Sequence, residues 1–424
     1  MKPHILVTTT TLPRWENDPE PRFVLDLSRR LLDEFDVTIL APAAPGAKMD
    51  ETLDGVPVSR YRYAPFRFME RLAYPGSITA ILQKHPHYWP LAPALFLGLW
   101  AKMRHTLATR DIACVHAHWA IPQGFIQGAF FSRPQNPPYL LTSHGGDTYT
   151  AFRAAWKRRM IRRAIERSSA MTVVSRALEM TIRQEFGDAL DGRPLHIAPM
   201  GASLERFHPG LRQPDWPAQH GLTRPLLLFV GRLAEKKGVT YLLHAMASPR
   251  IRQTSASLAV IGDGPLRAEL EAEAAALNLK DRVRFLGSFD HQQLPAAYAS
   301  ADMFCAPFII AKDGDREGLP TVLSEAGASG LPCVASDVGG VAEILMDRQT
   351  GLVVPQKDVA ALIDALAALI DDEPARRRLG EEALRHVRQF GWDAIGARYA
   401  QILRQIIQEH STRKSSPHSF VKQA

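Results

Sequence analysis

Short apolar runs alternate with longer stretches in which apolar side chains return every three to four positions, and this rhythm persists through most of the chain. The runs at 4–9, 37–40, 113–116, 139–143, 171–174 and 196–198 are too short for helices and predict strands. Between them, 23–32, 124–131, 156–167 and 176–186 carry helical periodicity. Strands that read as continuous apolar runs, separated by helices, predict a parallel sheet covered on both faces. The rhythm breaks at 204–225, where Pro209, Gly210, Pro214, Pro217, Gly221 and Pro225 give boundary composition. It then restarts, with strands expected at 226–230, 258–261, 283–286, 303–305, 333–336 and 352–354 and helices at 239–246, 266–277, 293–298 and 322–328. The pattern predicts an α/β protein of two Rossmann-like, doubly wound parallel-sheet domains, 1–205 and 226–391, joined by a linker at 206–225. Helical periodicity resumes at 358–370, 374–388 and 392–408, and the apolar face of the last, through Ile395, Tyr399, Ile402, Leu403 and Ile406, requires a packing partner. The polar stretch 411–424 is expected to be a flexible tail.

Composition adds size and compartment. A chain of 424 residues, 46% of them hydrophobic, supports two substantial cores. No apolar run approaches the ~18–20 residues that span a bilayer. The opening His4-Ile5-Leu6-Val7 reads as a strand without the pattern of a signal peptide. Cys114, Cys305 and Cys333 stand in apolar runs without ligand-like spacing, so buried thiols in a reducing cytoplasm are expected. Charge is uneven. Residues 1–210 hold 26 Lys+Arg against 19 Asp+Glu, a surplus of seven, while the remainder balances at 25 each. A basic first half points toward an anionic partner: nucleic acid, a membrane surface or an anionic substrate.

Candidate chemistry concentrates where predicted strands end. Glu317 and Glu325 enclose Gly318-Leu319-Pro320, with a helix expected to start near Pro320 or Thr321. Helix N-termini offer orphan N–H groups that favour anions. After the strand at 226–230 come Gly231 and Arg232, then Lys237 and Gly238, a glycine for close approach and two cations for phosphate. Gly262-Asp263-Gly264-Pro265 follows the next strand, and Asp337-Val338-Gly339-Gly340 a later one. Solvated glutamates and ordinary tight turns are the plain alternatives. In the first half, His116, His118 and Trp119 end one strand, and His144 and Asp147 follow another. Such histidines can bond a ligand's hydroxyls or relay a proton near neutrality. A metal site built from His116, His118, His144 and Asp147 competes with that reading, as does ordinary burial.

With these loops placed, the sequence resembles the retaining glycosyltransferases of the GT-B fold, in their large fourth family, over nearly its whole length. The resemblance rests on Glu317–Glu325 with seven residues between, Gly231-Arg232 with Lys237-Gly238, Gly262-Asp263-Gly264-Pro265, and the run Gly201-Ala202-Ser203-Leu204-Glu205-Arg206-Phe207. It implies two Rossmann-like domains facing each other across a cleft, with a nucleoside-diphosphate sugar held mainly by the second. Arg232 and Lys237 would neutralise the diphosphate. Glu325 would hold the ribose. Glu317, Gly318, Leu319, Pro320 and Thr321 would meet the transferred sugar and phosphate, alongside Gly231, Gly262 and Gly264. His144 matches the first-domain histidine that approaches the donor sugar, so His144, Glu317, Arg232 and Lys237 form the implied catalytic set. Arg14, His118, Trp119 and Asp147 fall on the acceptor side, and the helix at 392–410 would pack back on the first domain. The loop at 11–19 lacks the family's glycine pair and has Pro13-Arg14-Trp15 instead, which leaves its donor contact open, with Arg14 as a candidate substitute. Those residues and His116-Ala117-His118-Trp119 are similar to exopolysaccharide and capsule enzymes of the colanic-acid type.

The expected acceptor is therefore a glycan, lipid-linked in exopolysaccharide, capsule or lipopolysaccharide synthesis, with no metal or other cofactor, and the expected location is cytoplasmic or peripheral on the inner membrane face. Two other readings stand beside it. Glu317 and Glu325 could be the carboxylate pair of a glycoside hydrolase, or the chain could bind nucleotides or polyanions without catalysis. Nucleic acid is not an expected partner, because 153–167 carries Trp156 as its one large stacking residue. The same basic stretch, with Arg153, Lys157, Arg158, Arg159, Arg162 and Arg163, and the apolar, aromatic-ended 88–100 suit an anionic membrane surface better.

Overall fold

The computed structural model describes residues 2–18, 20–74, 78–149, 154–290 and 292–415, and its backbone divides into two units. Among the described residues, the first unit holds an eight-stranded sheet ordered β3-β4-β2-β1-β5-β6-β7-β8. The strands are β1 (His4–Thr8), β2 (Asp36–Pro42), β3 (Asp50–Leu53), β4 (Val56–Tyr61), β5 (Cys114–His118), β6 (Tyr139–Ser143), β7 (Ala170–Val173) and β8 (Leu195–Ile197). All pair in parallel except β3 with β4. The second unit holds a six-stranded parallel sheet ordered β11-β10-β9-β12-β13-β14. Its strands are β9 (Leu226–Val230), β10 (Ser257–Ile261), β11 (Val283–Gly287), β12 (Met303–Ala306), β13 (Cys333–Ser336) and β14 (Gly351–Val354). Counted within this unit the order is 3-2-1-4-5-6, the doubly wound arrangement whose ligands sit beyond the strands' carboxyl ends where the winding reverses. That point lies between β9 and β12.

The period-2 geometry of a strand explains why such runs need helices on both sides. Along β9, Leu227 and Phe229 enter one core cluster while Leu226, Leu228 and Val230 enter the other. β12 repeats this division, with Met303 and Cys305 on one face and Phe304 and Ala306 on the other. Cys114, Cys305 and Cys333 are all buried and free, as their apolar settings predict.

Several elements depart from the sequence expectations. The hairpin of β3 and β4 was not anticipated, although its turn, Asp54-Gly55, takes positive φ at both residues as a two-residue hairpin demands. The polar run Asp50-Glu51-Thr52 hides that strand, because an edge strand needs little apolar cover. A helix at Leu91–Thr109 replaces what reads as an apolar, aromatic-ended stretch. The residues expected to form a linker, 206–225, instead pack on the second unit: Phe207, Trp216 and Leu222 are buried in its core. Asp302 holds that segment by accepting from Arg212, Arg224 and the Leu226 N–H. Its prolines mark turns rather than slack.

Residues 393–415 belong with the first unit, in the helix Trp392–Ser415. Ile395, Tyr399, Ile402, Leu403 and Ile406 are all buried. The Tyr399 hydroxyl donates to the Ala198 carbonyl at 2.9 Å, and Arg30 pairs with Asp393 and Arg404 with Glu34. The helix includes residues 411–415 of the expected tail, and the rest of that tail lies outside the described residues. Among the described residues no helix is long and apolar enough to cross a membrane.

The carboxyl edge of the second sheet closes on glycines. Gly262 has φ +138°, and a Cβ there would lie 2.0 Å from the Gly231 carbonyl oxygen. Relief requires the loops after β9 and β10 to separate. Gly262→Ala is therefore expected to cost more than about 2 kcal/mol in urea unfolding. Gly187→Ala, with nothing within 4 Å of its added carbon, is expected to change stability by less than about 0.5 kcal/mol.

Candidate functional site

Three loops of the second unit meet beyond the ends of β9, β10 and β12. Gly231 donates to the Ile261 carbonyl, Leu233 to that of Asp263, and Leu266 back to that of Leu233. Gly264 is required by crowding, since a Cβ would fall 2.4 Å from the Leu233 oxygen. One tight turn, Glu235–Lys237, then ends in left-handed Gly238, whose missing Cβ makes room for the Pro307 carbonyl.

That turn aims both lysines at the loop after β12. Lys237 Nζ lies 3.3 Å and Lys236 Nζ 3.5 Å from Glu317 Oε1, and Lys236 also reaches Asp315 at 3.1 Å. Lys237 Nζ sits 4.9 Å from the centre of the Phe308 ring. Glu317 is nearly buried. Burial alone would push its carboxyl up, but the ammonium groups of Lys237 and Lys236 outweigh that and hold it below the usual carboxylate range. Arg232 is exposed, and among the described residues its guanidinium has no ion-pair partner.

The expected helix begins at Thr321 and ends at Ala328, and no side chain caps its N-terminus. In its first turn the Leu323 N–H donates back to the Pro320 carbonyl at 3.0 Å, which leaves the Thr321 and Val322 N–H groups without an intrahelical partner. Glu325 stands in its second turn and accepts from the Tyr298 hydroxyl at 2.9 Å. Burial dominates there and raises the Glu325 carboxyl above its ordinary value. The two glutamates thus titrate in opposite directions. Gly339 and Gly340 act as spacers: a Cβ would come 1.9 Å from the Glu317 carbonyl oxygen at the first and 2.4 Å from that of Gly318 at the second. Tyr298, Lys236 and Asp315 were not singled out from the sequence. The pairing of Lys236 was unreadable because adjacent lysines are common and only the fold decides which one meets a carboxylate.

The first unit gathers His116 and His118 of β5 with Trp119, His144 and Phe23 at the carboxyl ends of β5 and β6. His118 Nδ1 lies 2.9 Å from His144 Nε2, and His116 Nε2 bonds Thr142 Oγ1, which bonds Thr172 Oγ1. His118 and His144 stack, with ring centres 5.2 Å apart, and tilted rings surround them: His116 at 4.1 Å from His118, Trp119 at 4.7 Å and Phe23 at 5.0 Å from His144. Burial pushes His116 and His144 down to about 3, and His118 also falls well below its ordinary value. Neutral imidazoles at physiological pH can donate or accept hydrogen bonds but do not relay protons near neutrality. Trp119 adopts φ +72°, a strained backbone for a bulky residue that costs roughly 1–3 kcal/mol. The Asp147 side chain lies outside the described residues, and among those described no group of three or more His, Cys, Asp or Glu is arranged to hold a metal ion.

Arg14 is paired within its own loop. Its Nε and Nη2 both reach buried Asp18, at 2.8 Å each, and its guanidinium lies 4.4 Å from the Trp15 ring centre. Fully buried Arg60, also missed in the sequence, donates to the Pro13 carbonyl at 2.8 Å and pairs with Glu51 at 3.0 Å, pinning the same loop.

Residues 21–206 match the family model described as Glycosyltransferase Family 4, and residues 213–386 the one described as Glycosyl transferases group 1. A GDP-mannose-dependent alpha-(1-6)-phosphatidylinositol monomannoside mannosyltransferase of Mycobacterium tuberculosis is 31% identical over 72% of this chain and 78% of its own length. The chain belongs to the family 4, group 1 glycosyltransferases. A phosphatidyl-myo-inositol mannosyltransferase of Mycobacterium leprae is 28% identical over 86% of this glycosyltransferase and 87% of that protein. Solved structures share the GT-B fold: sucrose-phosphate synthase of Thermosynechococcus elongatus has a TM-score of 0.77 at 23% identity, covering 96% and 100% of the two chains. HepE of Anabaena, solved with UDP-glucose, has a TM-score of 0.69 at 18% identity, covering 95% and 99%. The relatives named here are phosphatidylinositol mannosyltransferases rather than exopolysaccharide enzymes of the colanic-acid type.

Opposite shifts at the two glutamates give opposite pH signatures. Stability from Glu317, whose carboxyl is depressed, is complete above the ordinary carboxylate range and is lost as pH falls through the depressed value; for Glu325, with its raised carboxyl, stability is present at low pH and lost as pH rises. Urea unfolding from about pH 3 to 7 is expected to show the penalty of Glu317→Gln shrinking on acidification, and Glu325→Gln gaining on the parent as pH rises. Parallel curves for both variants would contradict the assignment. In the first unit, imidazole NMR resonances of His116, His118 and His144 are expected to remain those of neutral rings from about pH 5 to 8.

Proposed function

We propose that this glycosyltransferase moves a sugar, with retention of anomeric configuration, from a nucleoside-diphosphate sugar to a hydroxyl of a glycan or lipid-linked acceptor. The observation carrying this reading is the convergence of two glycine loops, the exposed cation of Arg232, the Lys236–Lys237 pair and an uncapped helix N-terminus beyond β9, β10 and β12. Such a constellation suits a diphosphate. Arg232 and Lys237 take the leaving group's growing charge, assisted by the first-turn N–H groups after Pro320. Glu325, set by Tyr298, receives the ribose hydroxyls. Glu317, kept ionised by its two lysines, accepts from the sugar's hydroxyls, and the backbone of Gly318 and Leu319 adjoins it. His144, His118 and Trp119 are assigned to sugar hydroxyls and the acceptor, with His144 acting as a neutral hydrogen-bonding group.

The acceptor hydroxyl attacks from the face the leaving group departs, and its proton passes to the departing phosphate. The phosphate charge is carried by protein cations in this scheme, so turnover should persist in the presence of a chelator. Support for a lipid-linked acceptor comes from the mycobacterial relatives, named for phosphatidylinositol glycans. Exopolysaccharide, capsule or lipopolysaccharide intermediates assembled at the cytoplasmic membrane face have the same character. A carboxylate-pair hydrolase would leave the phosphate-suited loops without a task, and membership of a transferase family weighs further against it.

A panel of nucleotide-sugars, headed by GDP-mannose and UDP-glucose, is expected to contain one donor that raises the unfolding temperature together with its free nucleoside diphosphate. No shift with any member would count against the reading. Arg232→Ala or Lys237→Ala is expected to lose charge-assisted bonds of roughly 1.5–3 kcal/mol, weakening the diphosphate about tenfold or more and the bare nucleoside little. Glu325→Ala should weaken both nucleoside diphosphate and intact donor, whereas Glu317→Ala should spare the diphosphate and depress turnover. A covalent glycosyl-enzyme lost on mutating either glutamate, with nucleotide affinity untouched, would refute the assignment.

A further inference from the structure

The basic surplus of the first unit is not spread evenly over its surface. On the helix Ala155–Arg167, positions four apart lie on one face. Arg158 and Arg162 form one such stripe, and acids neutralise it: Arg158 pairs with Glu185 at 3.2 Å, and Arg162 with Asp188 at 2.5 Å. Arg159, Arg163 and Arg167 form the neighbouring stripe. Among the described residues none of these three has an ion-pair partner. Like charges at this spacing destabilise a helix, so the unrelieved stripe has a cost that an external anion would offset.

This stripe runs beside the helix Phe125–Phe130. Gly128 makes the approach close: a Cβ there would lie 2.9 Å from the Arg163 carbonyl oxygen and 3.3 Å from Arg167 Cβ. Where the two helices end, Arg163 and Arg167 join Arg133 and Phe130 around a depression of about 360 Å³. Arg133 also lacks an ion-pair partner among the described residues. Exposed apolar side chains stand on the same helices, Trp156 three residues before Arg159 and Leu97 three before Trp100, so each shares a face with its neighbour. Phe130 is 54% exposed, Trp156 53% and Leu97 62%. Trp100, on the adjoining helix Leu91–Thr109, meets Phe130 edge to face at 6.4 Å and carries Arg104 over its ring at 5.5 Å.

From this juxtaposition we propose that the face formed by these three helices docks on an anionic phospholipid surface. Arg133, Arg163 and Arg167 take a phosphodiester headgroup, and Phe130, Trp156 and Leu97 enter the interfacial layer. Charge complementarity selects the occupant, since aromatic and aliphatic side chains standing out beside unpaired guanidinium groups match the layered chemistry of headgroup and acyl boundary. A polyanion such as nucleic acid would use the arginines but leave Leu97 and Phe130 exposed. The charged helix identified in the sequence thus acts through one stripe and not its whole circumference, and attachment here is independent of donor binding.

Co-sedimentation of the full chain with vesicles tests this. Binding is expected to phosphatidylcholine vesicles containing phosphatidylglycerol, to weaken as salt rises, and to be slight with phosphatidylcholine alone. Arg163→Gln with Arg167→Gln should weaken it about fivefold per arginine, and Phe130→Ser with Trp156→Ser should weaken it further. Arg158→Gln with Arg162→Gln removes as much charge from the neutralised stripe and should change binding little. Unfolding temperature and its shift by nucleotide-sugar, read on every variant, separate loss of docking from loss of fold or donor site. Equal binding to neutral vesicles, equal losses for the two double variants, or tight calorimetric binding of glycerol phosphate without vesicle binding would each overturn the proposal.

Discussion

A carboxylate drawn almost out of water between two ammonium groups organises the edge of the second unit. Burying Glu317 is costly, and the cost is met only if the charged partners come with it. Lys236 and Lys237 do so from a three-residue turn after β9, which obliges Gly238 to turn left-handed against the Pro307 carbonyl. Asp315 takes the rest of Lys236, and Gly339 and Gly340 shrink to admit the Glu317–Gly318 backbone. Loops from β9, β12 and β13 are thereby set together by one cluster of ion pairs and the absence of a few side-chain atoms. The helix at Thr321–Ala328 inherits its starting point from this arrangement.

The first unit solves a different problem. Its histidines lie in a setting with too little water to charge them, so three rings cluster as neutral, hydrogen-bonding groups rather than as a titrating relay. The strained backbone at Trp119 is held there by tilted ring contacts of its indole with His144 and Phe23. Arg60 and Asp18, both buried, stiffen the loop after β1 from within. That stiffening engages Arg14, the residue whose charge stood out in the sequence.

What could be read in advance followed from periodicity. The strands of both sheets except β3 and β4 stood out because a parallel strand buried on both faces must be apolar throughout. The helix starting at Thr321 and the apolar face of residues 395–406 were legible for the complementary reason, since each has one face that must leave water. The glycines at 231, 238, 262 and 264 announced close approaches, although not what approached. Residues 206–225 misled because proline and glycine report turns, and a turn can be packed as well as free. Phe207, Trp216 and Leu222 were the signal that it was packed.

By itself, then, the sequence determined the two-sheet architecture, the glycine loops at strand ends and the pair of glutamates, because these depend on local period and on which residues tolerate a given backbone. Only the tertiary structure decided the partners. It alone set Lys236 and Lys237 on Glu317, Tyr298 on Glu325, Asp18 on Arg14 and acids on Arg158 and Arg162 while leaving Arg159, Arg163 and Arg167 without them. The reason is that a charge's state depends on what folding brings within a few ångströms and on how much water it removes, and neither quantity is written in the spacing of residues along a chain.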